Sequence, residues 1–485
     1  MSTQILKALG IAGILGVCLY CRQDLSGQGG APPPPLPEGV EVMARGPVHE
    51  AFATPTADPQ PTRPVPRKPP LPIEEMPPEE KPEGEVIWIA GYHHWDDDRN
   101  DYLWVSGCWR IKPPGRDWVP GYWREQGEQW QWVPGFWTET AAQQAAGKEV
   151  VYHPEPPAPP AVAPPGPPPN ADSFYVPGHW VWNGDRYAWR AGYWAHVQPG
   201  YIWVPAHYRW TPYGYVHIAG YWDLAVARRG MLYAPVVVNT VVVGPRFVYT
   251  PTYAVADTVV LDAMFIRPNC CHYYYGDYYG PRYRDLGYET CVVYSRTHYE
   301  PIVVYRTWEY RENPRWLEVQ LTLHDNRYYG RAAPPPRNIT QVNVYYNTTV
   351  VAPTAQVARA RGVKTVVVVP AERQRVAVVA RERSVTVIEA RRQAERPVVG
   401  RPLTAPRTVV VPVKAAGTPH PQPPVVHPTP HVVQPIPKAP GPQPKINPPP
   451  KTLVLPPRPP QTVPPRPQPQ PQPKSGKRPP DEKKN

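Results

Sequence analysis

The sequence predicts a mainly β protein: an antiparallel meander built from Trp/Gly repeats of about 14 residues, with long proline-rich disordered arms. Three observations carry this expectation. A glycine recurs at nearly constant spacing between residues 91 and 220. Around it, aromatic and polar residues alternate, and turn-forming clusters separate the units. Finally, 77 of the 485 residues are proline, and every Trp, Tyr and Phe lies before residue 347. Proline-rich segments without aromatics cannot bury enough apolar surface to offset the entropy of ordering.

The repeats come first in the argument. The units are WIAGYH (88–93), WVSGCW (104–109), WVPGYW (118–123) and WVPGFW (132–137), then YVPGHW (175–180), WRAGYW (189–194), WVPAHY (203–208) and HIAGYW (217–222). Their glycines are Gly91, Gly107, Gly121 and Gly135, then Gly178, Gly192 and Gly220, with Ala206 standing in the seventh unit. The intervals are 16, 14 and 14, then 43, then 14, 14 and 14. The two blocks of four occupy 85–139 and 175–223. Each unit reads as one strand of about ten residues, with the Pro-Gly inside it as a bulge or bend. Asn183-Gly184 is a two-residue hairpin signal, because both central residues of a type I′ turn need positive φ. The acidic DDDRND (96–101) is a longer turn and explains the interval of 16.

The candidate site residues are the repeat aromatics. They are Trp88, Trp104, Trp109, Trp118, Tyr122, Trp123, Trp132 and Trp137 in the first block. Trp180, Trp189, Tyr193, Trp194, Trp203, Tyr221 and Trp222 are those of the second. Cross-strand aromatic pairs would make a structural ladder. An exposed aromatic face would instead stack on sugar rings, which makes glycan binding the alternative role.

These units resemble the YXWGXW (WXXGXW) repeat family of exported bacterial envelope proteins. The resemblance covers residues 88–222, with departures at Cys108, Tyr175, His179, Ala206 and His217. It implies a secreted or envelope protein of no established enzymatic activity, and it brings no catalytic residues.

The flanks follow from composition. Residues 1–30 read as a signal peptide or N-terminal anchor, with Lys7 ahead of an apolar run from Ala8 to Tyr20. Thirteen apolar residues fall short of the ~20 that span a bilayer. Cys18 is the candidate lipidation site, although Val17 before it is larger than such signals prefer. Residues 31–84 read as a proline-rich disordered linker and 140–174 as a second proline-rich linker. The second contains PEPPAPPAVAPPGPPP (154–169), ten prolines in sixteen positions, the composition of a polyproline II spacer. Residues 224–335 read as a β-rich Tyr/Val region with a short helix near 314–328. Residues 336–417 form a basic Val/Arg-rich segment in which 371–397 suits a helix or strands. Residues 418–485 read as a basic, proline-rich, disordered tail. Cys108, Cys270, Cys271 and Cys291 are disulfide candidates, with three connectivities open.

Charge and motifs narrow the function. Residues 351–485 hold 23 Lys/Arg against 6 Asp/Glu, so the basic tail favours anionic surfaces. Residues 88–222 hold 9 Lys/Arg against 12 Asp/Glu, which disfavours nucleic acid on the aromatic region. No nucleophile elbow, phosphate-binding loop, HExxH or dinucleotide fingerprint occurs. CCH at 270–272 lacks metal-ligand spacing, and Asp96, Asp98 and Asn100 lack the glycine and glutamate of a calcium loop. The expectation is therefore a non-enzyme without cofactor or metal. Its role is structural or interactive at the envelope, and its partner is an envelope polymer or protein. A cell-wall polysaccharide bound on exposed Trp and Tyr is the alternative.

Overall fold

Every repeat breaks into two short strands at its glycine position. The computed structural model describes residues 35–140, 148–161, 164–244, 246–256, 261–337, 350–396 and 403–411. All lie in one compact unit that ends at His431. Two consecutive repeats fold back on each other, so eight repeats make four hairpins. In the first, Val86–Ile89 and Tyr92–Asp96 run to the turn, and Asp101–Val105 and Cys108–Ile111 return. The second is Arg116–Val119, Tyr122–Gln126, Gln129–Val133 and Phe136–Glu139. The third is Ser173–Val176, His179–Asn183, Arg186–Arg190 and Tyr193–His196. The fourth is Tyr201–Val204, His207–Trp210, Tyr215–Ile218 and Tyr221–Leu224. Each hairpin thus has an inner tier beside its turn and an outer tier at its open end.

The motif sets the register. Its two aromatics flank the glycine, so one falls in each tier. Trp118 faces Trp137 in the outer tier, and Trp123 faces Trp132 in the inner one. The other outer pairs are Trp88 with Trp109, Tyr175 with Trp194, and Trp203 with Trp222. The other inner pairs are His93 with Trp104, Trp180 with Trp189, and Tyr208 with His217. All eight ring pairs sit 5.0–5.5 Å apart at 55–75°. That is the tilted geometry the aromatic quadrupole favours, each pair adding roughly 0.2–1 kcal/mol beyond burial.

The antiparallel β character follows the expectation, and its order is hairpin by hairpin. Among the described residues no strand of one hairpin pairs with a strand of another. A strand that breaks after four or five residues offers no continuous edge to its neighbour. Side chains join the hairpins instead. Tyr92 stacks on Trp132 at 4.9 Å, and Tyr102 meets Trp123 edge-on at 5.3 Å. Arg110 of the first hairpin pairs with Asp223 of the fourth at 2.5 and 2.7 Å, where Arg229 joins at 3.0 Å. Phe174 of the third meets Trp222 of the fourth.

Both predicted linkers differ from expectation. Lys148–His153, inside the expected 140–174 linker, is a strand that pairs with the fourth hairpin on one side and with Arg407–Val411 on the other. Val150 and Tyr152 are buried there, at alternate positions. The 31–84 segment, expected to be disordered, is laid on the hairpins from residue 35, and Val48, His49, Glu50, Ala51 and Phe52 are buried. Its backbone carbonyls accept from repeat side chains: Ala51 from Arg110 at 2.9 Å and Pro55 from Arg209 at 3.2 Å. Proline removes N–H groups and leaves carbonyls to be satisfied, and the hairpins supply the donors.

Beyond residue 224 a small sheet orders Gly46–Pro47, His272–Tyr275, Met264–Arg267 and Glu289–Thr290. A helix at Pro301–Glu309 precedes the one expected near 314–328, which spans Trp316–Tyr328. The segment that suited either helix or strands is a helix, Pro370–Ala394. Pro370 sits in its first turn, and Ala, Glu, Gln and Arg dilute its valines. The signal or anchor of residues 1–30, Cys18 and the 418–485 tail lie outside the described residues.

Candidate functional site

The repeat glycines are seats for rings. A Cβ on Gly121 would lie 2.5 Å from Trp132, one on Gly107 2.5 Å from Trp88, and one on Gly178 2.5 Å from Trp189. Gly91 faces Trp104, Gly192 faces Tyr175, and Gly220 faces Trp203 in the same way. None of these glycines has a left-handed φ, so close approach rather than backbone freedom requires them. In every hairpin the first aromatic of one repeat covers the glycine of the other. Ala206 replaces glycine in the seventh repeat, and the residue at the covering position, His217, is the smaller imidazole.

Each break also leaves backbone groups without ladder partners. Two acids from the proline-rich arm plug the first two breaks. Glu75 accepts from the N–H of Gly107 at 2.9 Å and of Gly91 at 3.3 Å. Glu50 accepts from the N–H of Gly135 at 3.0 Å and from Trp132 Nε1 at 2.8 Å. Cations take the freed carbonyls. Arg391 donates to Pro120 at 2.7 Å and Pro134 at 3.1 Å, and Arg116 donates to Ala219 at 3.1 Å. Arg391 is itself held by Glu395 at 2.7 Å, and Tyr122 and Tyr152 also donate to Glu395. Proline ahead of the glycine suits this site, since an N–H there would be one more orphan.

Burial pushes Glu50 and Glu75 up to about 7, although the hydrogen bonds to them pull the other way. Around Glu50 lies a polar core. His272 Nε2 is 3.6 Å from Glu50 and 2.9 Å from Tyr92 Oη, and His94 bonds Tyr274 Oη at 2.8 Å. Burial lowers His272 to about 3 and His49 to about 4, so these imidazoles are neutral. Glu50 and His272 are each 1% exposed, which leaves no approach for a substrate.

Access exists next door, in a cleft of about 220 Å³ between the first two hairpins. The helix Pro370–Ala394 forms one wall and residues 69–76 another. Trp88, Tyr92, Trp104, Trp123 and Trp132 supply the aromatic surface, and Glu74, Arg381 and Arg392 the charge. Gly91, Gly121 and Tyr122 of the candidate set also line it. Such a cleft can stack on a ring and hydrogen-bond its edge.

The remaining candidates lie elsewhere. Trp109, Trp118, Trp137, Trp203 and Trp222 are buried in core clusters. Trp180, Trp189, Tyr193, Trp194 and Tyr221 are half-buried, the first four on the third hairpin. The disulfide expectation is corrected: Cys108, Cys270, Cys271 and Cys291 are free thiols. Cys108 sits in a hairpin core, Cys271 accepts from Arg209, and Cys291 opens a short helix. Among the described residues no three His, Cys, Asp or Glu converge as a metal set. In the acidic turn, Asp97 pairs with Arg267 and Asp98 with Arg282.

Glu50, Glu75, Arg391 and Glu395 were not foreseen from sequence. For Glu50 a signal existed: VHEAFA (48–53) is a proline-free apolar island in a proline-rich arm.

A family model described as WXXGXW repeat (2 copies) matches residues 118–138, 174–195 and 199–222. Each match coincides with one hairpin, the second, third and fourth, so the two-copy unit corresponds to one hairpin. No curated protein and no solved structure matches the chain.

Proposed function

We propose that this WXXGXW-repeat protein is a non-catalytic structural or interaction protein of the cell envelope, in which the repeats are scaffold. One observation carries the reading: all eight aromatic pairs of the repeats face one another across the hairpins, and each of the seven repeat glycines seats the first ring of the facing repeat. The envelope location rests on the apolar run after Lys7 and on the family resemblance.

A second reading has its own support. The aromatic cleft with Glu74, Arg381 and Arg392 suits a sugar ring, as a cell-wall or carbohydrate-binding module would. A pull-down of the full chain on insoluble wall polysaccharide separates the two, with tryptophan fluorescence as readout. The scaffold reading expects no saturable binding, and a lower melting temperature on Trp123→Ala. Saturable binding with quenched fluorescence, lost in Trp123→Ala at unchanged melting temperature, would replace it with the carbohydrate reading.

A further inference from the structure

We infer that the third and fourth hairpins together form a receptor for proline-rich chain of the pattern acid-Pro-Pro-x-Pro. Residues 154–159 of the protein occupy this receptor within the molecule, and such a segment of a partner polypeptide displaces them. The inference rests on the interaction role proposed above and gives it a partner.

Two separate stretches of the arm and linker are gripped in one way. Arg67-Lys68-Pro69-Pro70-Leu71-Pro72 lies on the first two hairpins, and Pro154-Glu155-Pro156-Pro157-Ala158-Pro159 on the last two. In the first stretch, Tyr102 Oη donates to the Arg67 carbonyl at 2.7 Å, and His93 Nε2 bonds the Leu71 carbonyl at 3.0 Å. In the second, Tyr187 Oη donates to the Pro154 carbonyl at 2.6 Å, and Trp180 Nε1 to the Ala158 carbonyl at 3.3 Å.

The donors are equivalent positions of the repeat. Tyr102 and Tyr187 each stand five residues before a repeat glycine, Gly107 and Gly192. His93 and Trp180 each stand two residues after one, Gly91 and Gly178. The acceptors are equivalent too, four residues apart in both stretches, with Pro-Pro between them.

The charged residue ahead of Pro-Pro is met by the second hairpin of each block. Lys68 lies over the Trp130 ring at 5.8 Å, and Glu155 lies close enough to the Tyr215 phenol to act on it electrostatically. Trp130 and Tyr215 again share one repeat position, five residues before Gly135 and Gly220. A ring face suits a cation and a phenol O–H suits a carboxylate, so this position selects the charge. Proline-rich chain presents carbonyls without competing N–H groups, and aromatic grooves with O–H and N–H donors read it.

The second block is the exchangeable one. Glu155 and Pro157–Pro159 are exposed on it, and the third hairpin keeps Trp180, Trp182, Trp189 and Trp194 half-exposed.

The test measures fluorescence anisotropy of a labelled YHPEPPAPP peptide, the sequence of residues 152–160, on the full-length protein. A chain with Pro156→Ala and Pro157→Ala, whose internal occupant is weakened, should bind it at least about tenfold more tightly than the parent, because tethering makes the internal segment a strong competitor. Adding Tyr187→Phe, which deletes one hydroxyl, should weaken binding about fivefold. A peptide with both central prolines replaced by alanine should not bind. Equal binding of the proline and alanine peptides, or no effect of Tyr187→Phe, would overturn the inference. Polysaccharide binding in the earlier experiment would defeat the scaffold reading alone, since these peptide arms do not involve sugar.

Discussion

A Cβ placed on Gly135 would lie 2.5 Å from Cζ2 of Trp118, on the facing strand of the same hairpin. Gly135→Ala must therefore displace the ring or the strand. The expected cost is about 1–3 kcal/mol, the range for overpacked cores. Urea unfolding checks it. The same change at Gly127, where a Cβ meets nothing within 4 Å but φ is +62°, should act through backbone strain alone.

Burial ranks the tryptophans. Trp137 is 4% exposed and its Nε1 donates to the Ala51 carbonyl at 3.2 Å. Trp194 is half-buried. Trp137→Ala should cost about 3–5 kcal/mol and Trp194→Ala distinctly less. Thermal melts of the two variants give the order.

The helix Pro370–Ala394 ends on a buried ion pair between Arg391 and Glu395. Arg391 and Glu395 are almost fully buried, and Arg391 also lies 5.1 Å over the rings of Tyr122 and Phe136. Arg391→Ala leaves the Glu395 carboxylate buried and unpaired, with an expected loss of about 3–5 kcal/mol. Arg391→Met with Glu395→Gln should recover much of it. Hydrogen exchange along the helix would show the loosening directly.

Glu50 gives a pH signature. Burial raises it from 4.5 to about 7, so its neutral form is favoured in the fold. The folded state then binds the proton more tightly than the unfolded chain between those values. That contribution is present in full below pH 4.5 and is lost as pH rises through 7, amounting to about 3 kcal/mol at most. His49, lowered to about 4, runs the other way: its contribution is present above 6.5 and lost as pH falls through 4. Stability of the parent minus that of Glu50→Gln should fall between about pH 4.5 and 7.5 in urea titrations.

Much of the fold was legible because the repeat is local. Glycine spacing, alternation and turn residues gave the strands, and the five-residue separation of the motif aromatics put one in each tier. The break itself was harder to read. Glycine at 121 or 135 is compatible with a bulge, a bend or a ring seat, and only the facing Trp132 or Trp118 decides. Pairing of hairpins by Arg110 and Asp223, 113 residues apart, leaves no periodic trace. The order of the arm leaves little trace in the sequence for a related reason. Beside a short apolar island at 48–53, its ordering comes from carbonyls and from two glutamates, Glu50 and Glu75, which a count of apolar surface does not register.

The central claim is that a ring of one repeat sits on the glycine of the other. Ala206 and His217 test it most directly, because here both partners depart together. The measurement is a double-mutant cycle by urea unfolding on the full chain. His217→Trp alone should destabilise the protein, and Ala206→Gly with His217→Trp should restore most of the loss, with a coupling of about 1 kcal/mol or more. Additive effects, with His217→Trp no better tolerated over glycine than over alanine, would contradict the account.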